Sequence, residues 1–98
     1  MKLWIQPAAV DELDEAAAWY DAREPGLGDE LVEEVEQGLQ WIEERPLAWP
    51  SHPLDSRYRV FHLQRFPYQL PFSLGGDRVS VWAVAHFKRR GGYWRSRT

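Results

Sequence analysis

The segment 87–98 concentrates the side chains of this sequence that could do chemistry, because it is both basic and aromatic. Lys88, Arg89 and Arg90 are consecutive, and Tyr93 and Trp94 follow closely. A guanidinium group offers an oxyanion two parallel hydrogen bonds, and an aromatic ring offers a surface for stacking. The segment is therefore either a cluster that contacts an anionic partner or a solvated tail.

The charges of the 98-residue chain are sorted along its length. Residues 1–50 carry 13 acidic and three basic side chains, whereas residues 51–98 carry two acidic and nine basic ones. The net charge of −3 thus hides an acidic first half and a basic second half. This asymmetry favours an anionic partner for the second half, and the alternative is that the two halves neutralise each other in the fold.

Length and composition restrict the class of protein. A chain of 98 residues with 44% apolar side chains fits one folded domain, and we expect that domain to span residues 1–98. The absence of cysteine excludes disulfides and a thiolate nucleophile. His52 and His62 lack metal-ligand spacing, so we predict no metal and no cofactor. No apolar run is long enough to cross a membrane and no signal peptide is recognisable, so we expect a cytoplasmic protein.

The first half of the sequence has the periodicity of two helices. A short strand over 2–6 precedes a helix that starts at Pro7 and ends near Arg23; a second helix runs from about Asp29 to Pro46. The residues that we expect to face a sheet are Val10, Leu13, Ala17, Val35, Leu39 and Ile42. The acids of the first helix are expected on its solvent face, without converging: Asp11, Glu12, Asp14 and Glu15.

The second half has β patterning after an irregular loop over 46–56. Strands are predicted over 58–63, 66–74 and 79–85, with a hairpin turn at 75–77 and the last strand in the centre of the sheet. Pro67 and Pro71 place their strand at an edge or interrupt it, because proline cannot donate to a ladder. The fold class is therefore α+β, a helical hairpin on a mostly antiparallel four-stranded sheet in the order β-α-α-β-β-β.

The order and spacing of several short motifs give the chain a family resemblance. It resembles the RelE/ParE toxins of bacterial type II toxin–antitoxin systems over nearly its whole length. The motifs that carry the resemblance are Glu12-Leu13, Ala16 to Tyr20, Pro25-Gly26-Leu27-Gly28, Pro46, Arg65-Phe66-Pro67-Tyr68, Ala83-Val84-Ala85-His86 and Arg89-Arg90-Gly91-Gly92-Tyr93-Trp94.

The resemblance implies a toxin that arrests growth and is held inactive in a hetero-oligomer with its cognate antitoxin. The RelE branch cleaves mRNA on the ribosome, and the ParE branch binds and inhibits DNA gyrase. RelE-type toxins place a functional arginine where this chain has Gln69, and they are usually basic overall, whereas this chain is net acidic. We therefore favour ParE-like inhibition by binding. The alternative is a RelE-like mRNA endonuclease, and a lesser alternative is a degenerate toxin that retains only antitoxin binding.

A metal-independent nuclease of this family would need a base for the 2′-OH, cations for the phosphate and an acid for the leaving oxygen. The catalytic candidates are His86, Arg89 and Tyr93. The candidates for binding nucleic acid or another target are Arg59, Arg65, Lys88, Arg90 and Trp94. The other tryptophans are interpreted as core residues or as anchors for the antitoxin.

Overall fold

A helical hairpin and a six-stranded sheet make up the chain, and the computed structural model describes residues 1–98. The elements are, in chain order, β1 (Lys2–Ile5), α1 (Pro7–Arg23), α2 (Leu27–Glu44), β2 (Ser51–His52), β3 (Asp55–His62), β4 (Tyr68–Gly75), β5 (Arg78–Val81) and β6 (Ala85–His86). Two short 3₁₀ helices lie at Pro46–Ala48 and Tyr93–Arg97. The α+β class is confirmed; the sheet has six strands instead of four because β2 is added and the last predicted strand is divided into β5 and β6. Neither α-helix combines the length and apolar character needed to cross a bilayer.

The two helices are joined by a very short connection. Pro7 occupies the first turn of α1, where its missing N–H has no helical partner, and the Gln6 side chain accepts a hydrogen bond from the Ala8 N–H. Gly26 adopts a φ of +92°, a conformation that favours glycine, and α2 begins at the next residue. The Gly28 N–H then donates to Asp21 at 2.7 Å, which fixes the start of α2 against the end of α1.

The sheet is mostly antiparallel, as expected, with strand order β1-β5-β4-β3-β2 and β6 paired to β4 beyond the end of β5. The β1–β5 pair alone is parallel. The predicted edge position of the proline strand is wrong, because β4 contains Pro71 and is central. The alternative, an interruption, holds for one side of β4, where Pro71 has no strand partner. The Pro71 carbonyl accepts from the Trp82 N–H at 2.9 Å, on the edge where the neighbouring strand is broken. The missing N–H of Pro71 falls at this break, because the N–H and C=O of one residue point to the same edge.

The predicted strand over 79–85 is likewise corrected to two short strands, because residues 82–84 leave the ladder. The break changes the alternation of side chains. Ser80 pairs with Ser73, whereas His86 pairs with Tyr68, so Ser80 and His86 lie on opposite faces of the sheet. A continuous strand over 79–85 predicts, by alternation, that His86 shares the face of Ser80, and the break makes this prediction wrong.

The main core lies between the helical hairpin and one face of the sheet. Leu31, Val35 and Ile42 of α2 are fully buried there, which confirms much of the predicted α2 stripe. Leu13 and Leu39 are partly buried and pack against the same core. The phase predicted for α1 is right for Leu13, which packs on the core, and wrong for Val10. The buried residues of α1 are Ala9 and Ala16, and Val10 is 43% exposed.

A smaller core lies on the opposite face of the sheet. It is formed by Tyr58, Ala83, Ala85 and Trp94, so the C-terminal segment covers part of the face that the helices leave open. The packing of this segment on the sheet fixes the positions of the candidate functional residues that it contains.

Candidate functional site

Glu12 of α1 is the centre of a cluster that holds the C-terminal segment. Its side chain is 15% exposed, in contrast to the predicted solvent position. One carboxylate oxygen accepts from the Val84 N–H at 3.1 Å and from Arg97 at 2.9 Å. The other accepts from the Tyr93 hydroxyl at 2.5 Å and from the second Arg97 nitrogen at 3.1 Å. The bidentate pair with Arg97 is the strongest geometry available to a carboxylate.

Tyr93 is a donor in this cluster. The pKa of the Tyr93 phenol is raised above its usual value of about 10, mainly by burial and next by the hydrogen bond to Glu12. The guanidinium of Arg89 lies over the Tyr93 ring, 3.9 Å from its centroid, and also lies 3.9 Å from Glu12. The catalytic candidates Arg89 and Tyr93 are therefore brought together, with a carboxylate that the sequence did not indicate as their partner.

His86 ends β6 on the helix side of the sheet, with its ring 5.0 Å from the Tyr68 ring and nearly perpendicular to it. Its Nδ1 accepts a hydrogen bond from the Lys88 N–H at 3.0 Å. An accepting Nδ1 places the proton of the neutral ring on Nε2. His86 thus presents an N–H donor to its surroundings.

Trp94 was predicted as a residue that stacks on a base or a target, and this expectation is wrong for the folded chain because Trp94 has no exposed surface. Its ring packs edge-on against Tyr58 and His52, with centroids 4.8 and 5.3 Å away. The pKa of His52 is lowered, mainly by burial and to a smaller extent by the positive charge of Arg95. Trp94 anchors the C-terminal segment to the sheet.

The four remaining binding candidates fall into two groups. Arg59 donates to the Trp49 carbonyl at 2.7 Å, and Arg65 forms an ion pair with Glu30 of α2, also at 2.7 Å. These two arginines support local structure away from the C-terminal segment. Lys88 and Arg90, by contrast, are exposed and form no ion pair.

Two grooves flank the C-terminal segment, and His86, Arg89 and Tyr93 border both. The first, of about 400 Å³, lies along α1 and is lined on its other side by Trp19, Tyr20 and further residues of that helix. The second, of about 330 Å³, lies at the end of the sheet beside Gln69. The structure therefore joins the three catalytic candidates in one ridge between two recesses.

Glu12 is the residue that sequence reasoning missed. It occurs in a run of four acids on a helix, and its partners Val84, Tyr93 and Arg97 lie 72 to 85 positions away. Its place in the Glu12-Leu13 motif was the only signal available from the sequence.

Comparisons with known proteins agree with this fold. A family model described as the ParE toxin of the type II toxin–antitoxin system, parDE, matches residues 4–91. Among solved structures, a chain of the chromosomal ParDE TA system from P. aeruginosa superimposes with a TM-score of 0.80. The match covers 90% of this chain and 97% of that chain at 18% sequence identity, which shows a shared fold. No curated protein sequence matches the chain.

Proposed function

The chain belongs to the ParE toxin family of type II toxin–antitoxin systems, and we propose that it arrests growth by binding its target, without cleaving RNA. The target that we propose for this inhibition by binding is DNA gyrase or a similar enzyme. The chain would then act in the cytoplasm. The observation that carries the proposal is the hydrogen bond between the Tyr93 hydroxyl and Glu12.

A nuclease of this fold needs side chains that are free to move protons. The Tyr93 phenol is held by Glu12, and its raised pKa keeps it protonated at neutral pH. The Glu12 carboxylate accepts a hydrogen bond from the Tyr93 hydroxyl and also binds Arg97, so Glu12 and Tyr93 are both engaged in holding the fold.

His86 is equally poor as a base. Its Nδ1 is occupied by the Lys88 N–H, so the neutral ring has no free lone pair for a 2′-OH. Gln69 contributes no charge at the position where the RNA-cleaving branch carries arginine. Lys88 and Arg90, the exposed candidates that form no ion pair, suit binding better than chemistry.

We further propose that a cognate antitoxin covers the apolar side chains that the hairpin leaves in solvent. Trp19 and Trp41 are 51% and 46% exposed. Trp41 and Trp49 both line two grooves, of about 420 and 410 Å³. Large aromatic side chains beside open grooves are the usual anchors of protein interfaces.

The test is controlled induction of the chain in bacterial cells, followed by parallel measurements of growth, protein synthesis and DNA damage. We expect growth arrest with a DNA-damage response and with intact transcripts. Co-expression of the product of the adjacent reading frame should restore growth and yield a complex that survives gel filtration.

A purified translation system completes the test. Cleavage of mRNA on translating ribosomes by the folded chain would replace the binding mode with the nuclease alternative. A chain that binds the neighbouring product but is harmless on induction would be a degenerate toxin, and growth arrest would then be excluded.

A further inference from the structure

The groove at the end of the sheet is lined by hydrogen-bond donors. His62 of β3 pairs with Gln69 of β4, which pairs with Ala85 of β6, so these side chains lie side by side on the face opposite the helices. The loop after β6 closes the groove of about 330 Å³. We name this recess the donor groove, and define it by His62, Gln69, Arg89, Arg90, Gly91 and Gly92.

The backbone of the loop adds further donors. The Tyr93 N–H donates to the Arg90 carbonyl at 3.2 Å and closes a turn in which Gly92 has a φ of +72°. The N–H groups of Arg90, Gly91 and Gly92 donate to no acceptor in the protein. Gly92 is buried, and buried N–H groups in native proteins are almost always paired. An acceptor from outside the chain would satisfy the Gly92 N–H, whereas Arg90 and Gly91 are exposed to solvent.

The lining contains no carboxylate. Two guanidinium groups, two imidazoles, an amide and a loop with unpaired N–H groups therefore line one recess without an acidic side chain among them. Glu12, which is outside this lining, lies 3.9 Å from Arg89. Cationic donors together with free backbone N–H groups form the characteristic environment of a bound oxyanion.

We propose that the donor groove binds carboxylate side chains from an acidic segment of a protein partner. The charge distribution selects this ligand over nucleic acid. The donor groove is a single small recess in a chain of net charge −3, whose first 50 residues carry 13 acids. An extended polyanion would be repelled by those acids, whereas one or two carboxylates reach the recess alone.

This inference rests on the proposed function in one respect only, which is that the partner is a protein. A binding test with the purified chain examines the donor groove separately from the proposed toxin function. The probe is an acetylated and amidated glycine-rich hexapeptide that carries two glutamates, titrated at physiological salt into the ¹⁵N-labelled chain. An eight-nucleotide single-stranded RNA is titrated in parallel. The signals to follow are the amides of Gly91 and Gly92 and the side-chain amide of Gln69.

We expect the peptide to shift these three signals in a saturable manner. Arg90→Gln alone should weaken peptide binding measurably, and Arg89→Gln with Arg90→Gln should weaken it about tenfold or more. The matched control is Lys2→Gln with Arg57→Gln, which removes the same net charge at exposed positions outside the donor groove and should preserve the affinity.

Three results would overturn the proposal: no shift of the glycine amides, equal losses in both double variants, or tighter binding of the RNA than of the peptide at the same salt concentration. Peptide binding by a chain that proves harmless in cells would leave the donor groove in place and remove the proposed toxin function instead.

Discussion

Tyr93 donates a hydrogen bond of 2.5 Å to Glu12, although the two residues are 81 positions apart in the sequence. This contact joins the C-terminal segment to the first turns of α1. Arg97 and the Val84 N–H bind the same carboxylate, so one acidic side chain fixes three separate points of the last 15 residues. The segment 93–97 thereby keeps Trp94 packed on the sheet.

Glu12→Gln should destabilise the fold strongly. The amide cannot accept both hydrogen bonds that Arg97 donates to the carboxylate, because one end of it is itself a donor. We expect the free energy of unfolding to fall by about 2–3 kcal/mol, measured by urea denaturation with tryptophan fluorescence. Asp14→Asn is the matched control on the same helix, because Asp14 is exposed and forms no ion pair, and its midpoint should equal that of the parent. Equal losses in the two variants would show that Glu12 does not hold the segment.

Tyr93 should make stability depend on pH in the alkaline range. Its pKa is raised in the folded chain, so the folded state keeps the proton longer than the unfolded state. The resulting stabilisation is fully present below the unfolded value of about 10 and is lost as the pH rises through the folded value. The parent should therefore exceed Tyr93→Phe in unfolding free energy at about pH 8, and the difference should shrink by about pH 11.

The comparison with Tyr93→Phe isolates the contribution of Tyr93 to the pH dependence of stability. Burial also raises the pKa values of Tyr20 and Tyr68, but both proteins share those contributions. A difference between the two proteins that stays constant over this pH range would contradict the assignment.

The sequence predicts those features of the structure that depend on neighbouring residues in the chain, and it does not predict those that depend on tertiary contacts. The stripe of α2 was predictable because Leu31, Val35 and Ile42 differ sharply from the acids around them. The phase of α1 was not, because its buried face consists of alanines, and these give little contrast with the exposed Val10. The inward position of Glu12 follows from tertiary contacts alone.

The site was predictable in part. The sequence located the ridge of His86, Arg89 and Tyr93, because charge and aromatic content mark the tail. The sequence could not indicate that Trp94 is buried, because the surface that Trp94 covers is formed by residues that are not its neighbours in the chain. These are Tyr58 of β3 and Ala83 in the break after β5, together with Ala85. Pro71 was misplaced for the same reason, because the gap that accommodates it belongs to another strand.

Gly28→Ala should test the close approach of the two helices. A Cβ at Gly28 would overlap the Ala17 carbonyl oxygen and lie 2.7 Å from Cγ of Asp21. Alanine favours a helix over glycine by about 1 kcal/mol, but overpacking against backbone costs about 1–3 kcal/mol or more. We expect a net loss of stability in urea denaturation. Gly75→Ala, whose Cβ meets nothing within 4 Å, is the control and should show a much smaller change.

Trp41→Ala should weaken the complex with the antitoxin while leaving the toxin folded. The Trp41 side chain is 46% exposed and packs on Phe61 with ring centroids 6.0 Å apart, so its loss opens no internal cavity. Aromatic anchors at interfaces contribute about 2 kcal/mol or more, which corresponds to roughly 30-fold in Kd. Isothermal titration of the purified antitoxin into each toxin variant measures this change. Val10→Ala removes a side chain of α1 that is 43% exposed and lines none of the grooves, and it serves as the control. An unchanged Kd for Trp41→Ala, with an unchanged melting curve, would place the antitoxin on another surface.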